Sequence, residues 1–87
     1  MYILVNDQTF NGVHTLDIKP MADRATARSK LAKLVKAAEY APDTPMLDEV
    51  PSNYVGQVIE TNTEDEFYAY LYKEASVDYT HIFIKKL

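Results

Sequence analysis

Histidine is the side chain in this sequence best suited to acid–base chemistry or metal binding, and the chain has two, His14 and His81. A metal site needs three or four ligands at a defined spacing, and neither an HxH nor an HExxH pattern occurs. No cysteine is present, so thiolate catalysis and cysteine-bound zinc are excluded. We therefore predict structural histidines, no bound metal and no cofactor.

Other side chains that carry out catalysis also lack the sequence context they need. Ser29, Ser52 and Ser76 do not lie in a G-x-S-x-G pattern, so nothing indicates a nucleophilic serine. Two glycines are too few for a phosphate-binding loop. Neighbouring carboxylates lie in segments expected to be exposed loops, where no burial raises a pKa toward general-acid catalysis. We predict that the chain is not an enzyme.

Tyrosine, with seven copies, is the most frequent aromatic residue and suggests a binding surface. Tyr68, Tyr70 and Tyr72 alternate with apolar residues, so in a strand they would share one face. Tyrosine combines a large apolar ring with a polar tip, which suits protein recognition. If that sheet face is open, we expect these tyrosines to bind a partner protein; the alternative is that they only shield the sheet backbone.

Acidic residues form two groups that could contribute to the same surface. One group is Asp48 and Glu49, and the other is Glu64, Asp65 and Glu66. Such clusters can imitate nucleic-acid phosphates and occupy a basic cleft on another protein, whereas the alternative is ordinary solvation of loops. One form that such a module takes is a phage-type inhibitor that occupies the surface of a host protein.

Basic residues favour an alternative function, nucleic-acid binding by a helix. Lys33, Lys36 and Tyr40 would lie on its polar side, with Arg24 and Arg28 at the margin. Basic side chains beside an aromatic ring can bind phosphates and stack on bases. The net charge of −4 and the pI near 5.0 argue against this alternative, because nucleic-acid-binding domains are usually basic.

Two β-prone runs at the start of the chain, residues 2–10 and 13–19, predict a hairpin. They flank Asn11-Gly12, and this dipeptide is typical of a two-residue turn because both residues tolerate positive φ. Closing the hairpin there places Val5 opposite Ile18. The face that we expect to form the floor beneath the helix contains Ile3, Val5, Leu16 and Ile18.

Residues 22–41 predict the helix. Asp23 can cap its first turn, and no Gly or Pro interrupts the segment before Pro42. A helix with one apolar stripe has to bury that stripe against another element, so the flanking segments should form a sheet. The stripe consists of Ala27, Leu31, Leu34, Val35 and Ala38.

Further strands are predicted at residues 54–61 and 79–87, and the segment 67–73 between them is ambiguous. Its alternation of aromatic and apolar residues favours a strand. The preceding Thr63–Glu66 matches a helix-capping box, so a second helix over residues 64–75 is the alternative. We expect an α+β fold, an antiparallel sheet of four to five strands with one helix on one face in the order ββαβββ; the alternative order is ββαβαβ.

With 87 residues, the chain is expected to form a single small domain, residues 1–87. The apolar start of the chain is interpreted as a strand rather than a signal peptide, and together with the lack of cysteine this predicts a cytoplasmic protein. The expected partner is another protein. A homo-oligomer formed through the open sheet face or the last strand is a further possibility, and neither nucleic acid nor a membrane is the expected partner.

Overall fold

The computed structural model describes residues 1–10, 12–40, 56–72 and 77–87. The predicted order ββαβββ is confirmed, and residues 66–72 form a strand rather than part of a second helix. The elements are β1 (Tyr2–Phe10), β2 (Val13–Met21), α1 (Arg24–Tyr40), β3 (Gly56–Asn62), β4 (Glu66–Tyr72) and β5 (Val77–Lys86).

The five strands form one sheet in the order β2-β1-β5-β4-β3, and all neighbouring strands are antiparallel. The strand at the end of the sequence, β5, lies in the middle of the sheet and pairs with both β1 and β4. It therefore offers no free edge for self-association, contrary to one of the possibilities drawn from the sequence. The edge strands are β2 and β3.

The β1–β2 hairpin has the predicted register, but its apolar face is turned away from α1. Val5 lies opposite Ile18, and Gly12 in the turn has a φ of 79°. Leu4, not Val5, joins the core formed with Leu31. The expectation that Ile3, Val5, Leu16 and Ile18 lie beneath the helix is therefore wrong, because these residues lie on the opposite face.

Pairing with β5 explains why Leu4 faces the helix. Leu4 lies opposite Ile84, and Ile82 lies opposite Phe67 on β4. These residues form one continuous apolar surface across three strands, and burying that surface under α1 is the most favourable arrangement. Adjacent apolar residues in β1 left either orientation open in the sequence.

The helix begins and packs as its sequence predicts. The backbone N–H of Thr26 donates to Oδ1 of Asp23 at 2.7 Å, so Asp23 is the N-cap. This hydrogen bond holds the pKa of the Asp23 carboxyl below its usual value. Ala27 and Leu31 are buried, and α1 packs against β1, β2 and β5. Leu34 and Val35 pack at the edge of the same core, and the side chain of Ala38 lies outside the described part of the chain.

The β3–β4 connection is a tight turn built by the residues that resemble a helix cap. Thr63 Oγ1 accepts the backbone N–H of Asp65 at 3.3 Å and that of Glu66 at 3.1 Å. A threonine hydroxyl accepts backbone N–H groups both in such a turn and at the start of a helix. The sequence Thr63–Glu66 is therefore compatible with either structure. In β4, Phe67, Ala69 and Leu71 are buried under the helix side of the sheet.

Candidate functional site

The sheet face opposite α1, here called the open face, carries two neighbouring rows of rings. Among the described elements, α1 is the one that lies against the sheet, and it covers the other face. Alternation along each strand brings the rings to the open face, and the β4–β5 register places Tyr68 opposite His81 and Tyr70 opposite Tyr79. The aromatic rows consist of Tyr68, Tyr70 and Tyr72 on β4 and of Tyr79, His81 and Phe83 on β5.

These rings contact one another closely enough to fix their orientations. Tyr68 stacks on Tyr79 with ring centroids 6.3 Å apart and an interplanar angle of 6°. Tyr68 also makes edge contacts with Tyr70, at 5.9 Å, and with His81, at 4.9 Å. The rings are half-buried and contact one another, so the surface is largely formed before any partner binds.

The phenol of Tyr68, at the centre of the rows, stays protonated at neutral pH. Burial raises the pKa of this phenol above its usual value, and the negative charge of Glu60 adds to the effect. Tyr68 therefore presents a neutral hydroxyl that can both donate and accept a hydrogen bond.

Tyr72, at the end of the β4 row, lies over Gly56 of the edge strand β3. The two residues are register partners, and a Cβ atom placed on Gly56 would collide with the phenol ring of Tyr72. The group that lies closest to Gly56 is thus the side chain of Tyr72. Glycine at this position leaves room for the Tyr72 ring at the sheet edge.

Two histidine–carboxylate pairs lie on the open face beside the rings. The Nε2 atom of His81 lies 2.6 Å from Oε2 of Glu66. At the other pair, His14 Nε2 lies 2.6 Å from Asp7 Oδ1, and the hydroxyl of Tyr79 donates to the same oxygen at 3.0 Å. These contacts join β1, β2, β4 and β5 by polar side chains across the sheet.

Asp7 belongs to the candidate site although no sequence motif marks it. The predicted hairpin register already places Asp7 and His14 on one face, because His14 lies opposite Thr9. The hydrogen bond from Tyr79 could not be inferred in the same way, since it requires β1 to lie next to β5.

The histidine pairs are not part of a metal-binding group within the described residues. Within the described residues, no group of three or more His, Asp or Glu side chains is arranged to hold a metal ion. A groove of about 840 Å³ lies against α1 and the β3–β4 turn, and neither histidine lines it. Its lining includes Leu31 and Val35 as well as Arg28. In each pair the histidine ring lies within hydrogen-bond distance of a carboxylate on the open face.

Apolar side chains extend the open face from the rings toward β2. Val5 lies between its register partners Ile18 and Phe83 and is buried. On β2, Leu16 and Ile18 are each 54% exposed. An apolar strip thus continues from the aromatic rows to the outer edge of the sheet.

The acidic residues expected at the same surface are not brought together by the described part of the structure. Asp48 and Glu49 lie outside the described residues. Glu66 belongs to the open face through His81, whereas Glu64 and Asp65 are directed to the helix.

Asp65 and Glu64 both interact with Arg28 of α1. The Arg28 guanidinium donates two hydrogen bonds to the Asp65 carboxylate, at 2.8 and 3.1 Å, and lies 3.3 Å from the Glu64 carboxylate. The guanidinium holds the pKa of Asp65 below its usual value. These carboxylates tie the β3–β4 turn to the helix instead of forming a free acidic cluster.

The basic residues proposed for nucleic-acid binding are also divided. Lys33 and Lys36 are exposed on α1, while Arg24 lies 5.3 Å from the centre of the Tyr2 ring. Arg28 is occupied by its two carboxylates. Tyr40 is the last residue of α1, and its side chain lies outside the described part.

Within the described ranges, no helix combines the length and the apolar character needed to cross a membrane. Comparison with protein families, curated proteins and solved structures gives no significant match, so any proposal about function rests on the chain's own residues.

Proposed function

We propose that the chain is a non-catalytic protein-binding module that captures a partner protein through its open face. The observation that carries this proposal is the pair of aromatic rows on β4 and β5, which lie side by side on the sheet face away from α1. Aromatic residues are enriched at the centres of protein interfaces, where they supply most of the binding energy.

The packing of the rings supports a binding surface that is already formed in the free chain. Tyr68 contacts Tyr70, Tyr79 and His81 within the free chain, so binding has little side-chain rotation left to restrict. The apolar strip ending at Ile18 provides additional area on one flank. Such a surface fits a partner with a flat apolar patch bordered by hydrogen-bonding groups.

Charge supports a protein partner over a nucleic acid. The carboxylates of Asp7 and Glu66 lie directly among the rings, and the whole chain carries a net charge of −4. A surface that stacks on nucleic-acid bases needs basic groups along the phosphate path. Inhibition of the captured protein, in the manner of a phage-type inhibitor, is one consequence that such binding would have.

The proposal is tested by removing two tyrosine rings from the open face and, as a control, one tyrosine ring from the helix side of the sheet. The variant Tyr70→Ser/Tyr72→Ser is used as bait in a quantitative pull-down from the native host cells, beside the wild type. Tyr2→Ser is the matched control, because Tyr2 lies on the helix side against Arg24. Circular dichroism and thermal unfolding establish that each bait is folded.

We expect the wild type and Tyr2→Ser to capture the same protein and the double variant to lose it. Capture that survives in the folded double variant would rule out the aromatic rows as the binding surface. Equal loss in Tyr2→Ser would show that the effect is not specific to the open face.

A further inference from the structure

The outer edge of β2 is a second surface with the properties of an interface, separate from the aromatic rows. Every residue from Val13 to Pro20 is exposed, and the strand pairs with β1 on one side alone. Within the described residues no strand pairs with this outer edge, so its outward backbone groups can continue the sheet. A nine-residue strand exposed along this length is a ready template for another strand.

The central side chains of β2, residues 16–19, are apolar on one face of the sheet and charged on the other. On the open face, Leu16 and Ile18 are each 54% exposed. On the helix face, Asp17 and Lys19 lie side by side, with Lys19 Nζ 3.6 Å from Asp17 Oδ2. Opposite charges two residues apart on an edge strand allow the strand to complement a second copy of itself.

We propose that two copies of the chain pair through antiparallel β2 strands with Ile18 opposite Ile18 of the second copy. In a two-fold symmetric antiparallel pair, one residue of β2 lies opposite the same residue of the second copy. Each possible register is therefore defined by that central residue, and only a few residues near the middle of β2 qualify. The Ile18-centred register places Asp17 of each copy opposite Lys19 of the other, and Leu16 opposite Pro20.

The neighbouring registers are less favourable for identifiable reasons. A register centred on Asp17 places two carboxylates opposite each other, and one centred on Lys19 places two ammonium groups opposite each other. A register centred on Leu16 places Asp17 opposite Thr15 and Lys19 opposite Val13, so it forms no ion pair. Pro20 has no backbone N–H, and the rungs that contain it are therefore weaker than the three central ones.

This pairing makes one ten-stranded sheet from two five-stranded ones. Because the two-fold axis stands perpendicular to the sheet, both helices lie on one side and both sets of aromatic rows lie on the other. Two binding surfaces then face the same direction, which would raise the avidity for a partner with repeated sites. The dimer itself does not depend on the proposed function of the aromatic rows.

Charge exchange between two exposed residues tests the register, with sedimentation equilibrium as the readout. Asp17→Lys places lysine opposite lysine, and Lys19→Asp places aspartate opposite aspartate. Each single variant should raise the dimer dissociation constant about tenfold or more, because two attractive cross-strand pairs become repulsive. The exchanged variant Asp17→Lys/Lys19→Asp restores both pairs and should dimerise like the wild type.

Mixing the two single variants is the most specific test of the Ile18-centred register. Asp17→Lys carries only lysines at the two positions and Lys19→Asp carries only aspartates, so the mixture should form a heterodimer although each variant alone is weakened. This rescue also shows that both variants are folded. A wild type that stays monomeric up to about 1 mM overturns the proposal, and a strand of another protein is then the remaining candidate to pair with the β2 edge. Dimerisation that is insensitive to the single variants, or a mixture without rescue, overturns the Ile18-centred pairing.

Discussion

The ring of Tyr68 lies 6.3 Å from that of Tyr79 and almost parallel to it, and this contact joins the two aromatic rows into a single surface. The same Tyr79 donates its hydroxyl proton to Asp7 on the next strand. Stacking and hydrogen bonding thus connect three neighbouring strands on the face that α1 leaves uncovered.

The hydrogen bond between Tyr79 and Asp7 should contribute modestly to stability. Tyr79→Phe keeps the stacked ring and removes the donor, so we expect the free energy of unfolding in urea to fall by about 1 kcal/mol. In an Asp7→Ala background the same substitution should have almost no effect, since its partner is already absent. An equal loss in both backgrounds would mean that the hydroxyl acts through another contact.

Gly56 should be required only because Tyr72 lies against it. Gly56→Ala is expected to destabilise the wild type by roughly 1 kcal/mol or more, because the added methyl collides with the phenol ring and forces it to move. In a Tyr72→Ser background the same change should be neutral or slightly stabilising, since alanine restricts the unfolded chain. Urea unfolding of the four proteins measures this difference, and similar losses in both backgrounds would contradict the packing.

The ion pair between Arg28 and Asp65 should make stability depend on pH in the acidic range. Hydrogen bonding to the Arg28 guanidinium lowers the folded-state pKa of Asp65, so its contribution is fully present above the unfolded-state pKa and is lost as the pH falls through the folded one. Thermal midpoints of the wild type and Asp65→Asn should therefore differ most near pH 6 and converge toward about pH 2.5.

Arg28→Gln supplies the control for this pH dependence. In that background, introducing Asp65→Asn should change the thermal midpoint by nearly the same amount at every pH, because the guanidinium that favours the charged carboxylate has been removed. If the difference between the wild type and Asp65→Asn stays constant from neutral to acidic pH, then Asp65 does not act through its charge.

Nucleic-acid binding by the helix should be absent at physiological salt. Lys33 and Lys36 are exposed, but Arg24 and Arg28 make contacts within the chain and the net charge is −4. We expect no retardation of single- or double-stranded DNA or RNA in a gel-shift titration, and no difference between the wild type and Lys33→Ala/Lys36→Ala. Salt-sensitive retardation that this double variant abolishes would favour the helix as the binding surface.

Local patterns predicted the elements of this fold because their causes are local. The turn at Gly12 fixes the hairpin register, Asp23 caps the helix, and alternation in β4 separates its tyrosines from its buried residues. All three depend on neighbours within a few positions of the sequence.

The orientation of the hairpin and the contacts across the sheet depend on strands that are distant in sequence. Leu4 and Val5 are both apolar, and only pairing of β1 with β5 determines which of them faces the helix. The same adjacency brings Tyr79 to Asp7, and the packing of α1 brings Arg28 to Asp65. Sequence patterns within one segment hold no information about such long-range placement.

Site-specific photocrosslinking tests the role of the open face most directly. p-Benzoylphenylalanine replaces Tyr70 in one sample and Lys33 in another, and both proteins are irradiated in the native host cells. We predict a covalent protein adduct from position 70 and none from position 33, because the aromatic rows contact the partner and the exposed side of α1 does not. A folded chain that gives no adduct from position 70, while position 33 crosslinks to protein or nucleic acid, would contradict the proposal.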